Sequence, residues 1–251
     1  MIKTLLDTQA PIRAFIIALQ FLTRIPTPQI KTFSEQDQAR AALFYPIVGL
    51  LIGVILVLVS WQFNAVNPNI IAAILTLIWV GITGALHLDG LADSSDAWMG
   101  GLNDIEKTHR IMKDPLLGTG GVVAIVLILL LKFSALTVLV SEQQFLALLL
   151  APVIGRASIL LMMLSTDYAR KQGLVSAVIE HLNLFAVKII LGVIGLFCAW
   201  VSLKALLILC ALLYLLRRVM IRRINGFTGD TLGATVEISE AFWLLAITLF
   251  L

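Results

Sequence analysis

The chain has 251 residues, 60% of them hydrophobic and 13% charged, with a formal net charge of +3. Soluble domains carry about a quarter charged residues and about half apolar ones. With a mean hydropathy of +1.01, this composition excludes a soluble globular enzyme, a disordered tail and a disulfide scaffold, and it assigns the positive balance to membrane topology rather than to a nucleic-acid partner. The expected fold class is all-α: one integral-membrane domain over 1–251, a polytopic bundle of six to seven spanning helices.

In chain order, the apolar stretch from Ile12 to Leu22 is short, contains Gln20 and lies between Arg13 and Arg24. It lacks an A-x-A site and reads as an amphipathic helix on the membrane surface, ended by the prolines of Ile25-Pro26-Thr27-Pro28. Residues 1–42 form an interfacial, cytoplasmic N-terminal segment in this reading. Spans, which need about 17–25 apolar residues each, are expected near 43–61, 70–86, 121–140, 145–164, 184–201 and 203–220. A short one at 241–251 needs its N-terminal flank to cross. Cys198 and Cys210 fall inside apolar runs without a CxxC spacing and read as core residues. All lysines and arginines except Lys132, Arg156 and Lys204 fall on one side of this scheme. The opposite loops, around 64–69 and 141–144, hold none. The positive-inside rule therefore predicts a cytoplasmic N-terminus and cytoplasmic long loops, 87–120 and 217–240, where any chemistry is expected.

Within 87–120, Asp89, Asp93 and Asp96 stand at i, i+4 and i+7. On a helix these fall within an arc of about 60°, one above another. Three carboxylates on one face beside an apolar span repel unless a hard cation joins them, and Mg²⁺ takes a few carboxylates together with phosphate oxygens. A second cluster runs from Arg110 through Lys113, Asp114 and Pro115 to Gly118-Thr119-Gly120-Gly121. Pro115 ends a helix near Asp114. The glycines open the next span, where free backbone N–H groups suit an anion; a plain helix start, and an Arg110–Asp114 surface pair, are the bland readings. A third cluster is Gly226-Phe227-Thr228-Gly229-Asp230-Thr231-Leu232-Gly233, with Glu237 at i+7 from Asp230. Small residues there permit close approach by a ligand or a neighbouring helix. Arg156 is mid-span and is expected to face a carboxylate or a phosphate inside the bundle. Lys132 has a stem long enough to snorkel. Acidic metal ligands with basic phosphate contacts at one membrane face suit phosphoryl transfer on a diphosphate substrate. A transporter would place its acids near the midplane.

These segments, with Phe21-Leu22-Thr23-Arg24-Ile25-Pro26-Thr27-Pro28, Gly155-Arg156 and Ala169-Arg170-Lys171-Gln172-Gly173, resemble cobalamin synthase, the adenosylcobinamide-GDP ribazoletransferase family, from about residue 15 to the C-terminus. Ala97 departs from the glycine expected after the last aspartate. The resemblance implies that adenosylcobinamide-GDP and α-ribazole, or its 5′-phosphate, are joined with release of GMP, and that Mg²⁺ is the cofactor. It implies a lipid bilayer as surroundings and no nucleic-acid partner. Laid onto this sequence, it makes Asp89, Asp93 and Asp96 the metal ligands, with Asp230 and Glu237 a second metal position or a substrate contact. Arg110, Lys113 and Arg156 become phosphate contacts, joined by Gly118, Thr119, Gly121, Thr228 and Gly229. Asp114 or Asp96 becomes the general base, with Asp114 favoured because a metal-bound carboxylate is a weaker base. The rival readings are another membrane phosphotransferase, acting on a CDP-alcohol or a polyprenyl diphosphate, and a small cation or metabolite transporter.

Overall fold

The computed structural model describes residues 2–102, 104–170 and 174–251. Lys171, Gln172 and Gly173, the end of one segment that carries the family resemblance, lie outside them. Among the described residues the chain is helical, with a single parallel β-bridge pairing Tyr168 and Phe227.

The first helix, α1 (Ile2–Leu22), contains Pro11 and gives way to extended chain before a short α2 (Glu35–Ala42). Ser34 and Asp37 close a capping box at the start of α2, each side chain taking the other's backbone N–H. α3 (Tyr45–Gln62) follows at once. It meets α8 (Phe145–Ser165) at Gly49 and Gly53, where an added Cβ would run into the backbone of Pro152 and Leu149. Small residues four apart let two apolar helices approach this closely in a membrane.

α4 (Pro68–Thr83) ends at Gly84 and Ala85, both left-handed (φ 61° and 59°), and α5 (Leu86–Gly101) leaves at 88° to it. Two successive left-handed residues, one of them not glycine, make this bend a built feature. Arg24 holds it from outside: its backbone N–H donates to Ile82 O at 2.7 Å, and its side chain lies over Gly84. The span expected at 70–86 thus stops early, at Thr83, and Leu86 already belongs to α5. The aspartates continue on a separate helix.

α6 (Ile105–Ile111), capped by Asp104, leads through a loop to α7 (Thr119–Ser141), and α8 returns antiparallel to it. α9 (Leu174–His181) precedes α10 (Leu184–Ile224), whose 41 residues include Ser202 in an extended conformation (φ −161°, ψ 104°). The Ser202 hydroxyl accepts from Ala205 N at 3.2 Å, capping a new helix start. Lys204 then stacks over Phe250 near the end of α11 (Gly229–Thr248), while Arg217 donates to Ser165 O at the end of α8. α10 is therefore a hairpin of two helices, as the separate spans at 184–201 and 203–220 predict.

Among the described residues five helices, α3, α7, α8, α10 and α11, are long and apolar enough to cross a membrane, and the bent α4–α5 pair, taken as one span, makes a sixth. With α10 divided at Ser202, the count reaches the expected six to seven. α8 and α11 are buried over most of their length, whereas α10 is almost wholly exposed, as a lipid-facing hairpin would be. The segment expected at 241–251 is the second half of α11, which begins at Gly229 and so is long enough to span.

Candidate active site

One end of the bundle gathers the second half of α5, α6, the starts of α7 and α11, and the ends of α8 and α10. The helices α5 and α11 meet through glycine: a Cβ on Gly90 would lie 2.6 Å from Asp230 O, and one on Gly233 would lie 3.2 Å from His87 O. This close approach brings Asp230 into the group that begins with Asp89, Asp93 and Asp96, and Asp93 stands in the field of all three. Asp89 is exposed and the others half-buried.

A second device fixes the basic side. Gly226 (φ 155°) lets the strand-like pair form: Phe227 N donates to Asp167 O at 3.0 Å, and Ala169 N donates to Phe227 O at 2.9 Å. Only a residue without a Cβ fits, because Asp167 O occupies that space. The pairing carries Arg170 to Asp230, where its Nη2 donates to Oδ2 at 2.8 Å. Thr228 caps α11 in a box with Thr231 and also donates to Asp230 at 3.4 Å. The spacing of the sequence gives no sign of Arg170, whose position comes from a long-range bridge. It appears there only through the family resemblance.

Asp96 is placed differently from a free ligand. Gly118 N donates to Oδ2 at 2.7 Å and Gly121 N to Oδ1 at 2.9 Å. The carboxylate thus caps α7 and faces the positive end of its dipole. The backbone donors of the glycine-rich segment, read from sequence as an anion cradle, already hold an anion, and it is Asp96. Thr119 is exposed at this turn, and Gly229 faces open space.

Arg110, Lys113 and Asp114 are exposed in α6 and the loop after it. Asp114 Oδ1 accepts from Leu116 N at 3.0 Å, a local turn, and forms no ion pair with Arg110. His109, beside them, has its pKa lowered by burial first and then by Arg170 and Lys113, against an opposing pull from Asp230.

Two residues assigned to this site from sequence lie elsewhere. Glu237 is buried two turns further along α11 and accepts from Lys132 Nζ at 2.6 Å. Arg156, fully buried, pairs with Glu240, which also takes Lys132 Nζ at 2.5 Å. The same Lys132 lies 4.5 Å from the centroid of the Trp79 ring. Lys132 therefore does not snorkel. Its charge and that of Arg156 are balanced inside the bundle by two glutamates, which is the arrangement that makes buried charge tolerable. Glu240, unremarked in the sequence, is the centre of this network.

A cavity of about 510 Å³ opens beside Asp89 and Asp230, walled by Phe21, Tyr45, Ile159, Met163 and Val178. Among the described residues no three His, Cys, Asp or Glu side chains converge closely enough to hold a metal unaided. The donor set nonetheless fits Mg²⁺, which usually takes one or two carboxylates and completes its shell with water and substrate phosphate.

The model of the cobalamin-5-phosphate synthase family matches residues 14–248. The chain belongs to that family. Curated relatives named adenosylcobinamide-GDP ribazoletransferase include one from Pseudomonas fluorescens, 46% identical over 240 residues, covering 94% of this chain and 99% of its own. One from Pseudomonas aeruginosa is 46% identical over 95% of this chain and 98% of its own. One from Acinetobacter baumannii is 45% identical over 90% and 93%. No solved structure matches. The matched span of this cobalamin-5-phosphate synthase family member takes in the α5, α7 and α11 segments described above, along with the buried Lys132–Glu240 network.

Proposed function

We propose that this chain is an adenosylcobinamide-GDP ribazoletransferase working at the cytoplasmic face of the cell's inner membrane. A sugar hydroxyl of α-ribazole, or of its 5′-phosphate, attacks the phosphorus that carries the cobinamide; the phosphoanhydride bond breaks, and GMP leaves. The observation that carries this reading is the group of four aspartates from α5 and α11, set by the Gly90–Gly233 approach with Arg170 at its edge. Such a group suits a diphosphate, whose displacement is catalysed chiefly by positioning and charge neutralisation.

In this proposal one or two of Asp89, Asp93 and Asp230 would hold Mg²⁺, with water and diphosphate oxygens as its remaining ligands. When bound, Mg²⁺ neutralises diphosphate charge and orients its oxygens. Asp96, both of whose oxygens already receive amide donors, positions α7 and closes the acidic group from that side. Arg170, Lys113 and Arg110 offset charge on the diphosphate and on departing GMP. Asp114, exposed near the start of α7, accepts the proton from the attacking hydroxyl. Arg156 and Glu237 take no part in phosphate or metal binding; they belong to the buried network.

The test is GMP release by the purified chain in detergent with lipid, given adenosylcobinamide-GDP, α-ribazole and Mg²⁺. Mg²⁺-dependent GMP in step with cobalamin, abolished by EDTA, is the expected result. CMP or inorganic diphosphate from the corresponding alternative substrates, or solute uptake into proteoliposomes without chemical change, overturns it.

A further inference from the structure

The cavity beside the acidic group has a chemistry of its own. It is formed where α1, α2 and α9 close over α5, α8 and α11, and its wall is mostly apolar: Phe21, Phe33, Ile159, Met163, Val178 and Leu232. Its carboxylates, Asp89 and Asp230, and the buried His87, whose Nε2 has no hydrogen-bond partner, come from α5 and α11, while Gln20, Gln38 and Tyr45 are the polar side chains that α1, α2 and α3 contribute. One end of an occupant is therefore held by apolar and aromatic surface, while its other end reaches the carboxylates.

We propose that this cavity is the binding site for the benzimidazole base of α-ribazole, with the ribose directed toward Asp89 and Asp230. The inference rests on the ribazoletransferase reading and adds which part of which substrate the cavity takes. Three moieties have to be placed at the site, and they differ in size and polarity. The corrin macrocycle, with its ring of amide side chains and its adenosyl ligand, is far larger than a volume of about 510 Å³. Guanine has hydrogen-bonding groups along two edges, and a mostly apolar wall would leave most of them unpaired. A dimethylated benzimidazole is flat, apolar over both faces and along its methyl edge, and offers a single acceptor nitrogen. A nucleoside of it matches a pocket in the usual ligand range of about 300–1,000 Å³. The base buried against Phe21, Phe33 and Met163 leaves its sugar at the acidic mouth. There a hydroxyl meets the diphosphate without either substrate crossing the other. The polar corrin and the nucleotide stay on the open, basic side marked by Lys113 and Arg170.

The test is equilibrium binding of radiolabelled α-ribazole to the full chain in detergent, which does not depend on turnover. Met163→Trp fills the cavity from α8, and Val178→Phe fills it from α9. In either variant that keeps the wild-type elution profile, the Kd for α-ribazole is expected to rise at least tenfold, and that for adenosylcobinamide-GDP to stay within twofold. Free 5,6-dimethylbenzimidazole is expected to compete for the wild-type site. The inference is overturned if α-ribazole does not bind the wild type, if it binds both folded variants as tightly as the wild type, or if the variants lose adenosylcobinamide-GDP instead. Binding that the variants abolish, in a wild type that forms no GMP, leaves the cavity assignment standing and removes the transferase reading.

Discussion

Asp93 is where α5 and α11 act on one another electrostatically, since Asp89, Asp96 and Asp230 all bear on it. Replacing it with Asn removes a charge from the centre of the group while keeping size and shape. Turnover by Asp93→Asn is expected to fall by about 10²–10³-fold, the loss typical when one preorganised electrostatic partner is removed. The elution profile of the protein should not change. Near-wild-type GMP release from the variant defeats the metal assignment. Glu240 makes the opposite case. It faces both Arg156 and Lys132, so Glu240→Gln leaves buried positive charge uncompensated, a change that costs about 3–5 kcal/mol when a buried pair is broken. Thermal unfolding in detergent should show a large drop in Tm, and an unchanged Tm rules out a structural role for the network. The difference between these two residues also explains what could be read in advance. Asp89, Asp93 and Asp96 are neighbours at helical spacing, so their shared face is visible in the sequence. Glu240 and Lys132 are 108 positions apart, and nothing local announces their pairing. Glu237 looked like part of the acidic site because i+7 from Asp230 is the same helix face, but that face runs from the polar end into the bundle interior.

At the scale of elements, the site depends on two contacts in which one helix is placed by another. The first is the crossing of α5 and α11. A Cβ at Gly90 meets Asp230 backbone at 2.6 Å, whereas one at Gly233 finds its nearest atom at 3.2 Å. Backbone cannot swing aside as a flexible side chain can, so Gly90→Ala should force the helices apart and cost most of the activity. Gly233→Ala should be distinctly milder. Equal effects in a GMP-release assay would show that close approach is not what positions Asp230. The second contact is the cap on α7. Asp96→Ala strips two backbone N–H groups of their acceptor, and a lost cap costs about 0.5–2 kcal/mol. Asp96→Asn, which keeps one acceptor oxygen, should recover part of that stability in thermal unfolding. No recovery would argue against the cap. The spans themselves were legible because apolar length is a one-dimensional signal. The 88° bend after α4 was not, since it rests on a left-handed Ala85 and on Arg24 reaching from the segment after α1.

For the whole molecule, charge and chemistry coincide at one end. The acidic group, Arg170, Lys113 and the four arginines from Arg217 to Arg223 lie where α8 and α10 end and α11 begins. The opposite turns, between α3 and α4 and between α7 and α8, hold no Lys or Arg. The positive-inside rule is what supports the proposed orientation, with the acidic end toward the cytoplasm. Adenosylcobinamide-GDP carries both a corrin and a diphosphate and does not cross a bilayer unaided. If the acidic end faced outward, the site would be cut off from cytoplasmic substrate altogether. The arrangement can be read directly in cells. In a chain with Cys198 and Cys210 replaced, Glu142→Cys, at the turn after α7, should react with a membrane-impermeant maleimide in spheroplasts. Glu106→Cys, exposed on α6, should react only after the membrane is opened. The reverse pattern would invert the topology and place the aspartates on the outer face. The helix packing would be unaffected, but a cytoplasmic transferase would be impossible.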